Sequence, residues 1–138
     1  MNKLSEFLIK NKEYSIVIIR VSLALVILWF GANQIINPEN WFSYIPLGIT
    51  ENLPLSLETI IMLNGILEII IGILLLIGFY TRIIAFIAAL HLLSITIAVG
   101  FNEIGVRDFG LTFMAVSLIF SGAGVYSLDN KNGKIKIL

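Results

Sequence analysis

The sequence predicts an all-α fold, a four-helix transmembrane antiparallel bundle. Hydrophobic residues make up 58% of the 138 residues, charged residues make up 13%, and the mean hydropathy is +0.97. A soluble domain of this length has too little polar surface to cover so much apolar surface, which indicates that the solvent is lipid. The apolar segments also lack the polar face at a period of 3.6 residues that helices of a soluble bundle show.

Four apolar segments approach the length of about 20 residues that a membrane-spanning helix needs. They cover residues 14–36, 59–80, 82–99 and 108–126. Because short turns join most of them, residues 1–138 are interpreted as a single four-span domain whose consecutive helices run antiparallel. Gly122 and Gly124 mark a helix stop at the end of the fourth span.

The cationic residues lie at one end of the predicted bundle. They are the lysines before the first span, Arg82 between the second and third spans, and the lysines after the fourth, whereas the other end is acidic with Arg107 as its one cation. Because cationic loops stay in the cytoplasm, we expect a multi-pass protein of the cell membrane with both termini cytoplasmic. The net charge of +0 gives no sign of a nucleic-acid partner, and none is expected.

Two classes of feature are excluded at this stage. The first apolar run is too long for a cleaved signal peptide, contains Arg20, and is not followed by a small-residue cleavage site. The chain has no cysteine, which rules out a disulfide, a thiolate nucleophile or a cysteine-bound iron–sulfur cluster within it.

The longest connection lies on the acidic side, over residues 37–58. Its first three residues, an asparagine, a proline and a glutamate, are typical of a helix start, so a short helix is expected there. Its aromatic residues Trp41, Phe42 and Tyr44 are interpreted as anchors at the lipid headgroups. The alternative is a lid over a cavity in the bundle.

Glu68 is the polar residue that is hardest to explain by packing alone. A carboxylate at mid-membrane depth costs about 3 kcal/mol, so it needs a partner or a proton. Glu68 lies 12 residues before Tyr80, and His91 lies 11 residues after it. At 1.5 Å per residue both side chains are roughly 17 Å deep, and antiparallel neighbours would hold them at matching depth.

Four further residues complete a candidate ligand-binding set, Arg20, Asn64, Arg107 and Asp108. Arg20 is expected either to reach toward Glu68 or to extend to the headgroups. Asn64 suits a hydrogen bond between helices, and Asp108 suits a cap at the start of the fourth span.

The set of six polar residues is open to two interpretations. It binds a proton, a quinone carbonyl or a lipid headgroup, or it only fixes the register of the helices. One histidine and one glutamate are too few ligands for zinc, so no metal is expected, and no catalytic residue is assigned.

Small and polar residues share a face on three spans, and these faces are expected to point into the bundle. They are Arg20, Ala24, Gly31 and Gln34; Asn64, Gly65, Glu68 and Gly72; and Gly110, Ser117, Ser121 and Gly124.

Two motifs resemble the DoxX family of small four-helix membrane proteins. The pattern E-x-x-x-G-x-L-L-L-x-G-x-x-T-R runs from Glu68 to Arg82, and R-D-x-G-L followed by G-x-G-x-Y-S-L-D runs from Arg107 to Asp129. The resemblance extends over nearly the whole chain apart from the two tails. Similar proteins often carry a lysine where this chain has Gln34, whereas the family pattern is matched at Arg20, Glu68, Arg107 and Asp108.

The resemblance implies an accessory subunit of a quinone-linked redox complex, with no assigned activity of its own. A quinone is then the candidate ligand, and the chain itself holds no cofactor. The expected partners are the lipid bilayer and the other subunits of such a complex, and the oligomeric state stays open. The alternatives are a quinone- or lipid-interacting membrane oxidoreductase and a small proton-coupled transporter.

Overall fold

The computed structural model describes residues 2–46, 48 and 54–131. Within these residues the chain is helical and contains no strand, which confirms the all-α prediction. The helices are α1 (Lys3–Lys10), α2 (Glu13–Ile36), a 3₁₀ helix (Pro38–Tyr44), α3 (Leu57–Ile77), α4 (Thr81–Val99), α5 (Glu103–Ser121) and the single turn α6 (Leu128–Lys131).

Helices α2, α3, α4 and α5 are long and apolar enough to cross a membrane, as predicted. Around the bundle they follow chain order, with α2 packed closely on α3 and α4 packed closely on α5. Smaller contacts between α3 and α4 and between α5 and α2 close the ring. We call the end with residues 78–82 and 122–131 the termini end, and the end with residues 37–46 and 100–103 the loop end.

The fourth span begins and ends five residues earlier than predicted. Asn102, and not Asp108, caps α5, because its side chain accepts hydrogen bonds from the backbone N–H groups of Ile104 and Gly105. The helix stops at Gly122, whose φ of 79° favours glycine. The prediction failed because Arg107 and Asp108 were placed at the membrane boundary, whereas they lie inside the helix and pair with each other.

The predicted inward face of the fourth span was also wrong. Gly110, Ser117 and Ser121 are exposed on the outside of the bundle. The buried face of α5 contains Asp108, Leu111, Ala115 and Leu118 instead. Since Asp108 is fully buried, its position decides which side of α5 turns inward.

Helices α2 and α3 meet through glycines. A Cβ atom at Gly31 would lie 2.8 Å from the carbonyl oxygen of Gly65, and a Cβ atom at Gly65 would lie 2.8 Å from that of Gly31. The two backbones therefore touch, as is typical of helix pairs in lipid. This contact fixes the register of the helices and brings Gln34 beside Glu68.

The chain beyond α5 folds back over the turn between α3 and α4. Gly78 ends α3 in the left-handed conformation. The two carboxylate oxygens of Asp129 then accept hydrogen bonds from the backbone N–H groups of Tyr80 and Thr81, both at 2.8 Å. Asp129 thereby caps α4 from a distant part of the sequence.

Candidate functional site

The four long helices together supply one set of buried and half-buried polar side chains. We call it the polar cluster, and it consists of Gln34 from α2, Asn64 and Glu68 from α3, His91 from α4, and Arg107 and Asp108 from α5. It contains five of the six predicted candidates and adds Gln34.

Glu68 lies at the centre of the polar cluster and is 3% exposed. Its Oε2 accepts a hydrogen bond of 3.1 Å from the Gln34 amide, and its Oε1 accepts one of 3.0 Å from the Asn64 amide. Asn64 also donates to Gln34 Oε1 at 2.7 Å, so the three side chains form a closed ring. His91 Nε2 lies 3.5 Å from Glu68 Oε1, and the structure thus places side by side the two residues whose depths the sequence matched.

Arg107 and Asp108 form the second half of the polar cluster. Nε and Nη2 of Arg107 each lie 2.6 Å from Asp108 Oδ1, and the guanidinium carbon lies 3.5 Å from the centre of the Phe30 ring. Asp108 is close enough to Glu68 and His91 to interact with both electrostatically. Counted formally, with both carboxylates and Arg107 charged and His91 neutral, the polar cluster has one net negative charge.

Within residues 2–46, 48 and 54–131, three buried atoms of the polar cluster have no hydrogen-bond partner. They are His91 Nε2, Arg107 Nη1 and Asp108 Oδ2. Buried polar groups are nearly always paired with protein or ordered water. These three atoms are therefore open to pairing with water or with a bound polar group.

A cavity of about 160 Å³ opens beside the polar cluster at the loop end. Gln34, Asn64, Glu68 and Arg107 form its polar side. Its other walls are mainly apolar and come from the 3₁₀ helix, α3, α4 and α5.

The 3₁₀ helix covers this cavity. Trp41 and Tyr44 line it, and Trp41 packs edge-on against Phe30 with ring centres 5.6 Å apart. The Tyr44 hydroxyl donates a hydrogen bond of 3.1 Å to Glu103, at the first turn of α5, and that bond raises the pKa of Tyr44 above its usual value. These contacts favour the lid interpretation for Trp41 and Tyr44, whereas Phe42 is exposed.

Arg20 lies outside the polar cluster, at the termini end. It is 1% exposed and donates to the carbonyl oxygens of Leu75 at 2.7 Å, Leu76 at 2.6 Å, Ala123 at 3.0 Å and Tyr126 at 2.9 Å. Both sequence expectations for Arg20 are therefore wrong, because it reaches neither Glu68 nor the headgroups. Its role in the structure is to join the end of α3 to the loop after α5.

Gln34 belongs to the polar cluster but was not among the predicted site residues. It shares the predicted inward face of the first span with Gly31, and that pattern could have identified it. Nothing in the sequence gives the depth of Gln34 in the bundle relative to Glu68. Asn64 lies about two turns into α3, whereas Gln34 lies less than one turn before the end of α2. The first residues of α3 therefore extend farther toward the loop end than the last residues of α2. The 3₁₀ helix occupies the space over the end of α2.

Within the described residues, no group of three or more His, Cys, Asp or Glu side chains is arranged to hold a metal ion. The polar cluster has instead one guanidinium N–H donor and one carboxylate oxygen that find no partner among these residues. It is therefore suited to binding a small polar group.

The comparisons with known proteins identify the family. No curated protein and no solved structure matches the chain. The sequence model of the DoxX family matches residues 15–100, which is well over half of the chain and includes Gln34, Glu68 and His91. Arg107 and Asp108 lie beyond the matched range. The chain therefore belongs to the DoxX family, as a membrane protein with four helices able to span the bilayer.

Proposed function

We propose that this chain is an accessory membrane subunit of a quinone-linked redox complex and that its cavity receives a quinone headgroup. The redox complex is what the family resemblance implies. The observation that supports a ligand is that Arg107 lines the cavity while its Nη1 donor is buried and has no hydrogen-bond partner in the part of the chain that the structure describes.

The cavity fits a headgroup better than a larger ligand. Pockets for drug-sized molecules measure about 300–1,000 Å³, and this cavity measures about 160 Å³. A single flat ring can lie against Trp41 and the apolar side chains Ile61 and Ile95, while a prenyl tail stays among the lipids. A quinone carbonyl accepts hydrogen bonds, which is what the Arg107 guanidinium has to offer.

The residues around the cavity have separate tasks in this proposal. Arg107 binds a carbonyl oxygen of the quinone, and Asp108 holds the Arg107 guanidinium in place from inside the bundle. Gln34 and Asn64 fix the Glu68 carboxylate, beside which His91 can hold a proton. Trp41 and Tyr44 exclude water. A bound quinone would supply two-electron redox chemistry, for which the chain provides the site.

The proposed orientation places both termini in the cytoplasm of a cell with the chain in its plasma or inner membrane. Arg82 at the termini end and Lys12 just before α2 support it, since cationic segments stay in the cytoplasm. The cavity then lies toward the outer leaflet.

Tryptophan fluorescence tests quinone binding directly. The chain has two tryptophans: Trp29 is 66% exposed on the outside of α2, and Trp41 lines the cavity. In a Trp29→Phe variant in micelles, a short-chain quinone is expected to quench Trp41 in a saturable way. Arg107→Lys in the same background keeps a charge beside Asp108 but loses Nη1, the guanidinium donor that Asp108 leaves free, and it is expected to weaken the apparent Kd about tenfold.

The matched control is Trp41→Phe, which leaves only the lipid-exposed Trp29. Its quenching is expected to rise linearly with quinone concentration, as collisional quenching does. Linear quenching of Trp41 as well, or an unchanged Kd in Arg107→Lys, would exclude the quinone site. The accessory role is checked separately by cross-linking in native membranes, where the absence of any redox subunit among the products would count against it.

A small proton-coupled carrier is the second candidate, and the charge of the polar cluster favours it. Glu68, Asp108 and Arg107 leave one net negative charge that one proton would neutralise, with His91 beside Glu68 to share it. In proteoliposomes with a pH gradient, wild type is then expected to dissipate the gradient several times faster than Glu68→Gln. Equal rates in both, at the rate of empty vesicles, would reject this candidate.

A further inference from the structure

A polar groove of about 450 Å³ lies at the termini end, between the start of α4 and the loop that follows α5. We propose that this groove, which we call the terminal groove, binds a phosphate group. The proposal is independent of the cavity at the loop end, because none of its residues is shared with the polar cluster.

The side chain of Arg82 supplies a positive charge in the terminal groove. Its Nη1 donates to the carbonyl oxygen of Ile119 at 2.7 Å, which ties the guanidinium to α5. Its Nε and Nη2 make no hydrogen bond within the described residues and lie beside Gly122, where a Cβ atom would be 3.5 Å from each. A guanidinium with two neighbouring free donors suits a bidentate contact with phosphate.

The loop after α5 turns its N–H groups away from the protein interior. Arg20 binds the carbonyl oxygens of Ala123 and Tyr126, and the Ser127 hydroxyl binds that of Gly124. In a trans peptide the N–H group points opposite to the carbonyl, so the N–H groups that follow these three carbonyls point the other way. They belong to Gly124, Val125 and Ser127, which line the terminal groove and have no acceptor within the described residues.

Thr81 provides an independent sign of a missing ligand. This residue lines the terminal groove and is only 1% exposed, yet its Oγ1 has no hydrogen-bond partner among the residues that the structure describes. A buried hydroxyl without a partner costs free energy unless something binds it. Phosphate oxygens accept hydrogen bonds from hydroxyl, N–H and guanidinium donors alike.

Two carboxylates also line the groove, and neither prevents anion binding. Both oxygens of Asp129 already accept backbone N–H groups at the start of α4, where the helix end offsets a negative charge. Glu13 is exposed to solvent at the rim. The buried Arg20 lies beneath the loop and adds a second positive charge on the inner side.

The phosphate has two conceivable sources, a lipid headgroup or a soluble phosphate compound. Ile83 lines the groove and is 50% exposed, and Phe120, one residue before the groove-lining Ser121, is 77% exposed. These apolar side chains lie where acyl chains would run beside a bound headgroup. Basic pockets at the ends of membrane helices bind anionic lipids in this way.

The test uses the full chain in non-ionic micelles and native mass spectrometry. The probes are phosphatidylglycerol, a diacylglycerol with the same acyl chains but no phosphate, and inorganic phosphate. Wild type is expected to retain phosphatidylglycerol and not diacylglycerol, and Arg82→Gln is expected to bind phosphatidylglycerol at least about tenfold more weakly. Lys12→Gln removes a cation at the same end that does not line the groove, and it is expected to bind as wild type does.

Thr81→Val keeps the test decisive if Arg82→Gln fails to fold. It removes a hydroxyl that has no partner in the fold, so stability is expected to hold or rise while affinity for phosphatidylglycerol falls severalfold. Displacement of the lipid by inorganic phosphate would show that soluble phosphate compounds share the site, and no displacement would identify the lipid headgroup as the source. Equal binding of diacylglycerol, or unchanged affinity in both variants, would overturn the proposal.

Discussion

Replacing Arg20 with methionine is expected to lower the free energy of unfolding by about 4 kcal/mol. The guanidinium makes four hydrogen bonds, all to backbone carbonyl oxygens, and two of these belong to the last turn of α3. Methionine fills a similar volume but cannot donate to any of the four carbonyls, and of these the Leu75 oxygen keeps another donor, the Gly78 N–H at 3.1 Å. The expected loss in the free energy of unfolding is far smaller than the sum of four separate hydrogen-bond contributions, because these contributions are not additive. Chemical unfolding in mixed micelles measures the change.

The matched control is Lys12→Met, which removes an exposed cation about two turns earlier in the chain. It is expected to change the free energy of unfolding by less than about 0.5 kcal/mol. Arg20→Lys keeps the charge, but an ammonium group cannot reach all four carbonyl oxygens. Its loss in the free energy of unfolding is therefore expected to lie between those of Lys12→Met and Arg20→Met. If Arg20→Met were as stable as Lys12→Met, the carbonyls would be satisfied by water and Arg20 would not hold the termini end together.

The class and the spans could be predicted because they depend on composition and length. Four apolar segments in lipid allow few arrangements other than an antiparallel bundle. The pairing of Glu68 with His91 could be anticipated for a similar reason. The turn between their helices is short and the rise per residue is constant, so counting from Tyr80 gave their depths.

The position of Arg20 could not be predicted because its partners are backbone carbonyls. A carbonyl oxygen has no signature in the sequence, since every residue has one, and only the folded loop after α5 shows that they converge. The start of α5 was missed for another reason. Arg107 and Asp108 neutralise each other inside the helix, whereas the hydropathy pattern treats each as a separate charge.

The place of Gln34 depends on helix register, which hydropathy does not encode. Two glycines far apart in the chain set that register by letting α2 and α3 touch. The polar cluster therefore depends on residues that have no side chain to contribute to it.

Gly31→Ala is expected to destabilise the protein by about 2 kcal/mol and to disturb the polar cluster. The added Cβ would lie 2.8 Å from the carbonyl oxygen of Gly65 and 2.9 Å from the Cβ of Glu68. Since the first of these is backbone, the helices must move apart or slide. Either movement lengthens the 3.1 Å hydrogen bond between Gln34 and Glu68.

Gly110→Ala is the matched control for this substitution. Gly110 also lies within a long helix, but a Cβ atom there would meet nothing within 4 Å. Alanine favours a helix over glycine by about 1 kcal/mol, so this variant is expected to be as stable as wild type or slightly more stable. The two variants make the same chemical change, and a difference of about 3 kcal/mol between their free energies of unfolding would measure the helix contact alone. Equal stabilities would mean that α2 and α3 can separate freely, and the register that places Gln34 beside Glu68 would then need another cause.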